Sequence, residues 1–183
     1  MIECPEIKET FSKTVDNISY NINGDLMATK TNAVRLVQRA GIPCREAFYA
    51  YDENDLNGNH AAVALGFPPE QVYKTLVARG ERTGIHVFCI PVCCELDLKK
   101  AALAAGDKSI QMVAVKELLT LTGYIRGGCS PVGMKKKYPT HIEESCILFD
   151  QIAVSAGARG HQMILPPGDL IELVGATVND LIN

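Results

Sequence analysis

Val72-Tyr73-Lys74-Thr75-Leu76-Val77-Ala78 and Ile85-His86-Val87-Phe88-Cys89-Ile90-Pro91 flank the short segment Gly80-Glu81-Arg82-Thr83-Gly84. Two runs rich in β-branched and aromatic residues, separated by a glycine-bounded turn, predict an antiparallel hairpin. Upstream, Pro68-Pro69 breaks the chain just before this hairpin. Ala61, Ala62 and Leu65 suit a short helix, capped through Asn57 or Asn59 and closed by Gly66. Arg45–Tyr51 reads as a strand. Ala33, Leu36, Val37 and Ala40 follow helical spacing before Gly41, which predicts a helix over Thr31–Ala40. Downstream, Asp97 is an N-cap for a helix carrying Leu98, Ala101, Ala102 and Ala105. Ser109–Val113 reads as a strand, and Val115, Leu118 and Leu119 as a helix stopped by Gly123. Ile147–Ser155 and His161–Leu165 read as strands around a Gly157–Gly160 turn. Pro167 fits the first turn of a last helix that ends at Gly175. Several strands are joined too tightly for crossover helices. The pattern therefore predicts a mixed α/β domain with a largely antiparallel sheet, not a doubly wound one.

The chain has 183 residues, 47% of them hydrophobic and 21% charged, enough for a core without disulfides or a structural metal. Its net charge of −3 excludes a strongly basic nucleic-acid coat and leaves room for a local basic patch. No apolar run approaches the ~18 residues that a membrane span needs, and the N-terminus lacks the charged-then-apolar order of a secretory signal. The 7 cysteines are an odd number without framework spacing, which points to reduced thiols and a cytoplasmic protein. Residues 1–28 are polar and without period, so we expect a loose N-terminal extension over 1–28 and a compact domain over 29–183.

Lys74 shares a strand face with Val72 and Leu76, where a cation is expensive unless it reaches water, a partner or a ligand. It reads either as a snorkelling side chain or as the cation of a pocket mouth. Tyr124-Ile125-Arg126-Gly127-Gly128-Cys129-Ser130-Pro131-Val132-Gly133 reads either as a surface loop or as an anion-binding backbone nest. It fits neither a nucleotide P-loop nor a nucleophile elbow. Lys135-Lys136-Lys137 follows, either a solvated segment or a strip for a nucleic-acid backbone. Val154-Ser155-Ala156-Gly157-Ala158-Arg159-Gly160-His161-Gln162 reads as a hairpin connection or a second pocket wall, with Ser155 as donor and Arg159 as anion ligand. His86, Cys89, Cys93 and Cys94 match no common zinc spacing, and on a strand His86 and Cys89 point to opposite faces. We expect no metal and no cofactor.

Three ordered motifs now combine: Val72-Tyr73-Lys74-Thr75-Leu76-Val77; Pro91-Val92 leading to Leu96-Asp97-Leu98-Lys99-Lys100; and Gly123-Tyr124 leading to Gly127-Gly128, Ser130-Pro131 and Gly133. With Val154-Ser155, Gly157 and Arg159-Gly160, the chain resembles the YbaK/EbsC family from about Lys30 onward. That family is similar to the editing insertion domain of bacterial prolyl-tRNA synthetase. The resemblance implies a mixed α/β sheet curled into a partial barrel with surrounding helices. It also implies a free-standing deacylase that clears Cys-tRNA(Pro) and also acts on Cys-tRNA(Cys). By resemblance Lys74 is the essential pocket lysine. Gly127, Gly128 and Ser130 form the loop beside the substrate's 3′ end, and Ser155 stands on the opposite wall. Thr75, Gly157 and Arg159 fall inside the matched motifs as substrate-binding candidates. Tyr51-Asp52 resembles an early Tyr-Asp of the family, with Tyr49 as a rival. Gln162 departs from it, standing where some members have Asp.

In this family the substrate's own thiol is thought to attack its carbonyl, expelling tRNA and forming a cyclic thiolactone. The implied partners are the 3′ end of mischarged tRNA(Pro) and a prolyl-tRNA synthetase that delivers it. Two readings stand beside this one: water-based hydrolysis of Ala-tRNA(Pro) or another mischarged tRNA, and a non-catalytic module that binds tRNA or synthetase.

Overall fold

The computed structural model describes residues 19–20, 26–27, 30–52 and 58–183. Strands β1 (Ser19–Tyr20) and β2 (Leu26–Met27) pair antiparallel within a small unit, Met1–Lys30. The remainder of the extension expected over 1–28, and the Asn57 cap, lie outside the described residues.

The second unit, Thr31–Asn183, opens with helix α1 (Asn32–Arg39). The Thr31 hydroxyl accepts the Val34 N–H at 3.2 Å and donates to the Ala156 carbonyl at 2.5 Å. One residue thus starts the helix and ties it to the sheet. Strand β3 (Arg45–Phe48) and helix α2 (Gly58–Leu65) precede the hairpin of β4 (Val72–Gly80) and β5 (Gly84–Pro91). Helix α3 (Leu98–Ala104) is capped by the Asp97 carboxylate, which accepts the N–H groups of Lys99 and Lys100. Strand β6 (Ile110–Met112) and helix α4 (Val115–Thr122) follow, and Gly123 ends α4 at φ 85°. Then come β7 (Thr140–Glu143), β8 (Ile152–Ala158), β9 (His161–Leu165), α5 (Pro167–Val174) and β10 (Thr177–Asn179).

The sheet has eight strands in the order β10-β7-β5-β4-β8-β9-β3, with β6 beside β4, and it does not close. Antiparallel pairs join β4/β5, β4/β6, β8/β9 and β3/β9; parallel pairs join β4/β8, β5/β7 and β7/β10. The mixed α/β fold and its hairpin agree with the sequence reading. Strands β7 and β10 went unread, and residues 147–151 are not strand. Glu144–Leu148 is a 3₁₀ turn, started where the Glu143 carboxylate accepts the Ser145 N–H at 3.4 Å. Side-chain alternation sends Tyr73, Val87, Ile142, Val154 and Met163 to one face, packed with α1 and Leu170 of α5. Phe88, Ile90 and Ala78 go to the other face with α3, beside Val72, Ala153 and Ile164 with α2.

A buried polar chain crosses the β5–β7–β10 edge. His86 Nδ1 and His141 Nε2 lie 3.1 Å apart, and His86 Nε2 lies 2.8 Å from Thr83 Oγ1. The Thr83 hydroxyl donates to Asp107 Oδ2 at 2.7 Å. A carboxylate only accepts, so Thr83 accepts from His86 Nε2–H. At the other end Thr177 donates to Asn179 Oδ1 at 2.8 Å, and His141 Nδ1 lies 2.9 Å from Thr177 Oγ1. Burial, reinforced at His86 by the neighbouring His141, holds both rings below the usual imidazole pKa. The unfolded chain therefore binds more protons below about pH 6.5. Stability is complete above that pH and falls as pH drops through the window below it. We expect the urea midpoint to fall between pH 7.5 and 5.5, and less steeply in His141→Asn; an equally steep fall in the variant would assign the loss elsewhere.

Candidate active site

The site begins with a gap in the sheet. On one edge of β4, β8 pairs only with Val72–Tyr73 and β6 only with Ala78–Gly80. Between them, among the described residues, no strand meets Lys74–Val77 on that edge. The Val72 carbonyl accepts from Val92 on the β5 side, whereas the Val77 carbonyl accepts from Val113 on the open side. The alternation of strand hydrogen bonds therefore directs the Thr75 N–H and C=O into the gap. Strand β8 leaves β4 after Val154 and bulges between Ser155 and Ala158.

The gap opens into a cleft of about 740 Å³, walled by residues from β4, the segment after β3, α2, the turn after β5, α4, the glycine loop and β8–β9. Lys74, Ser155 and Gln162 emerge on the same sheet face, from registers that pair Ser155 with Gln162 across β8/β9. Tyr51, Lys74, Thr75, Gly127, Ser155, Arg159 and Gln162 line the cleft. The resemblance thus named seven residues that meet, although they come from four distant segments. Tyr49 lines it with Tyr51, and its hydroxyl accepts from Gln162 Nε2 at 3.4 Å. Lys74 Nζ pairs with Glu95 Oε1 at 2.9 Å; the lysine side chain is 25% exposed and the glutamate 90%. An ion pair this open is weak and yields readily to a ligand.

Gly128, Ser130 and Gly157 shape the wall from behind. A Cβ on Gly128 would come within 3.1 Å of the backbone of Ala158 and Arg159. The Gly128 N–H is bonded to the Ile125 carbonyl, so an anion nest in this loop rests on its neighbours. Ser130 is fully buried, its hydroxyl accepting the Val132 N–H at 3.2 Å. Gly157, at φ +95°, packs on the ring of Tyr124, whose hydroxyl donates to the Val132 carbonyl at 2.6 Å. The lysine run also lies off the lining. Lys135 donates to the Leu119 carbonyl at 3.3 Å near the end of α4, while Lys136 and Lys137 are exposed. Burial raises the cleft-lining Cys129 thiol to about 12, so it stays neutral and is a poor nucleophile.

Arg126, Glu95 and the α4 residues Val115 and Leu118 also line the cleft and were not singled out from sequence. Arg126 and Glu95 fall between the residues that carry the quoted motifs. The Arg159 guanidinium donates from Nε to the Arg126 carbonyl at 3.0 Å, which joins the glycine loop to the β8–β9 turn. The mouth therefore carries Lys74, Arg126 and Arg159 against Asp52 and Glu95. It suits a ligand with anionic groups outside and a small polar group within.

Comparisons with known proteins bear on this site. The family profile described as the aminoacyl-tRNA editing domain matches residues 59–173. EbsC of Enterococcus faecalis, named as a candidate Cys-tRNA(Pro)/Cys-tRNA(Cys) deacylase, is 45% identical over 144 residues, 79% of this chain and 88% of that protein. The crystal structure of a candidate trans-editing enzyme for prolyl-tRNA synthetase superposes with a TM-score of 0.70 at 27% identity, covering 84% of this chain and 98% of that one. A hypothetical protein of 21% identity, TM-score 0.74, covering 81% of this chain and 97% of its own, shares the fold.

Proposed function

The chain belongs to the aminoacyl-tRNA editing family, and we propose that it deacylates Cys-tRNA(Pro), and Cys-tRNA(Cys), in trans. The observation that carries this reading is the meeting of Lys74 with Gly127, Ser155 and Gln162 around one cleft. An aminoacyl ester is already activated, so the protein's task is to hold it in an attack-ready pose and stabilise the charge that develops. The substrate thiol attacks the ester carbonyl: a C–S bond forms, and the carbonyl oxygen becomes an oxyanion beside the Lys74 ammonium. Collapse breaks the bond to the ribose oxygen. The thiol proton ends on that oxygen, giving a thiolactone and free tRNA. Specificity then follows from chemistry, because alanine and serine lack the thiol. A pocket alone separates such small groups by only ~1–3 kcal/mol. With a net charge of −3, affinity for tRNA by charge alone is low, which favours delivery by a prolyl-tRNA synthetase in the cytoplasm.

The test is a panel of esters on one tRNA: Cys-, S-methyl-Cys-, Ala- and Ser-tRNA(Pro). We expect the Cys ester alone to be cleared, with about 100-fold or greater preference. Cleavage of S-methyl-Cys at a comparable rate would replace cyclisation by water attack. No turnover of any ester would leave a binding module.

A further inference from the structure

We infer that Gln162 binds the α-amino group of the aminoacyl ester and so favours esters that carry one. The assignment rests on the deacylase reading above and names the part of the substrate that its inner wall recognises. Gln162 is 7% exposed, lines the cleft, and its Oε1 has no hydrogen-bond partner. Its Nε2 donates to the Tyr49 hydroxyl at 3.4 Å, which leaves the oxygen as the unmatched end of the amide. A buried acceptor without a donor is a standing penalty that a ligand's donor removes.

The layout of the cleft says which donor. Gln162 and Ser155, each 7% exposed, form the inner wall, whereas Arg126 and Gly127 are exposed at the mouth and the Glu95 side chain is 90% exposed. The acyl group is the part of the substrate small enough to reach inward. The phosphates belong at the mouth, near Arg126 and Arg159. Within the acyl group the ester oxygens only accept and the thiol donates weakly, while the α-amino group is the strong donor. The Gln162 carboxamide oxygen is an acceptor of the kind that donor requires.

The experiment compares Cys-tRNA(Pro) with 3-mercaptopropionyl-tRNA(Pro), which keeps thiol and ester and lacks the amine. Each rate is divided by the rate of the same ester without enzyme. We expect Gln162→Leu to lose about 10- to 100-fold on the Cys ester and less than about threefold on the deaminated one. Gln162→Glu, which keeps the acceptor, should stay within about threefold of wild type on both. Retained activity on the deaminated ester shows in the same assay that the variant is folded. Equal losses on the two esters would overturn the assignment, as would a Gln162→Glu that behaves like Gln162→Leu, since the amide nitrogen would then face the ligand. A wild type that turns over neither ester overturns the deacylase reading and this assignment with it. A wild type that clears both, with Gln162→Leu unimpaired on the Cys ester, overturns this assignment alone.

Discussion

Lys74→Ala should lower kcat/KM on Cys-tRNA(Pro) by about 10²- to 10³-fold while leaving the fold intact. That is the scale on which removing one preorganised donor to an oxyanion acts. The two halves of the expectation come from different observations. Lys74 lines the cleft on the sheet face that also bears Ser155 and Gln162, and on the proposed reading its ammonium meets the charge that develops on the ester. Its ion pair with Glu95 is open to solvent and contributes at most about 1 kcal/mol to stability. Unfolding midpoint and turnover should therefore separate cleanly in one variant. A Lys74→Ala protein within about threefold of wild type would remove the lysine from the chemistry and favour the snorkelling reading of this strand position. Glu95→Gln is the companion control. It frees the ammonium and should leave turnover within a few-fold of wild type.

Gly160→Val should be the most damaging single change to stability among those considered. Gly160 sits at φ +68°, and a Cβ there would stand 2.5 Å from the Tyr49 carbonyl oxygen and 2.7 Å from the Tyr51 ring. The left-handed conformation alone costs a side-chain-bearing residue roughly 1–2 kcal/mol. The clash is with backbone, which cannot swing aside, and overpacking of this kind adds about 1–3 kcal/mol. Because the Gly160 carbonyl also accepts the Tyr49 N–H at 2.8 Å, relief of the clash breaks a hydrogen bond between the β8–β9 turn and the segment after β3. We expect a loss of about 3 kcal/mol, or roughly 10 °C in Tm for a chain of this size. Activity should fall as well, since Tyr49 and Tyr51 both line the cleft. A Tm within about 2 °C of wild type would show that this turn yields more easily than its geometry indicates.

Much of this molecule was legible in residues 72–91, where a glycine-bounded turn between two β-rich runs dictates a hairpin and puts Lys74 on one face with Val72 and Leu76. Helix ends were legible for the same local reason: Asp97 caps through its own side chain, and Gly123 and Gly175 take left-handed conformations, whereas Thr31, read as the first helical residue, is the cap of α1. Strands β7 and β10 were not, because they carry little strand signature of their own. Thr140-His141-Ile142-Glu143 is polar at three of four positions, and it is strand because β5 and β10 flank it and the buried His141 ring bonds to His86. The site shows the same division. Lys74 and the glycines declare themselves as oddities of type or density. Arg126 and Glu95 are ordinary surface residues in any linear reading, and only the fold brings them to the cleft that Lys74 lines.

The pairing of β3 with β9 has a consequence in time. Ala47 lies opposite Gln162, and the adjacent His161 and Glu46, which meet at 2.9 Å, are 115 residues apart in the chain. Closing a loop that long is entropically slow, and it cannot begin until the chain has been synthesised through β9. Through most of synthesis β4 and β5 exist without β8 and β9, so the apolar residues Val72 and Tyr73 meet no strand on that edge. A nascent chain of this protein should therefore recruit holdase chaperones until residue 165 clears the exit tunnel, and the cleft that Lys74 and Gln162 line should be the last part of the molecule to mature.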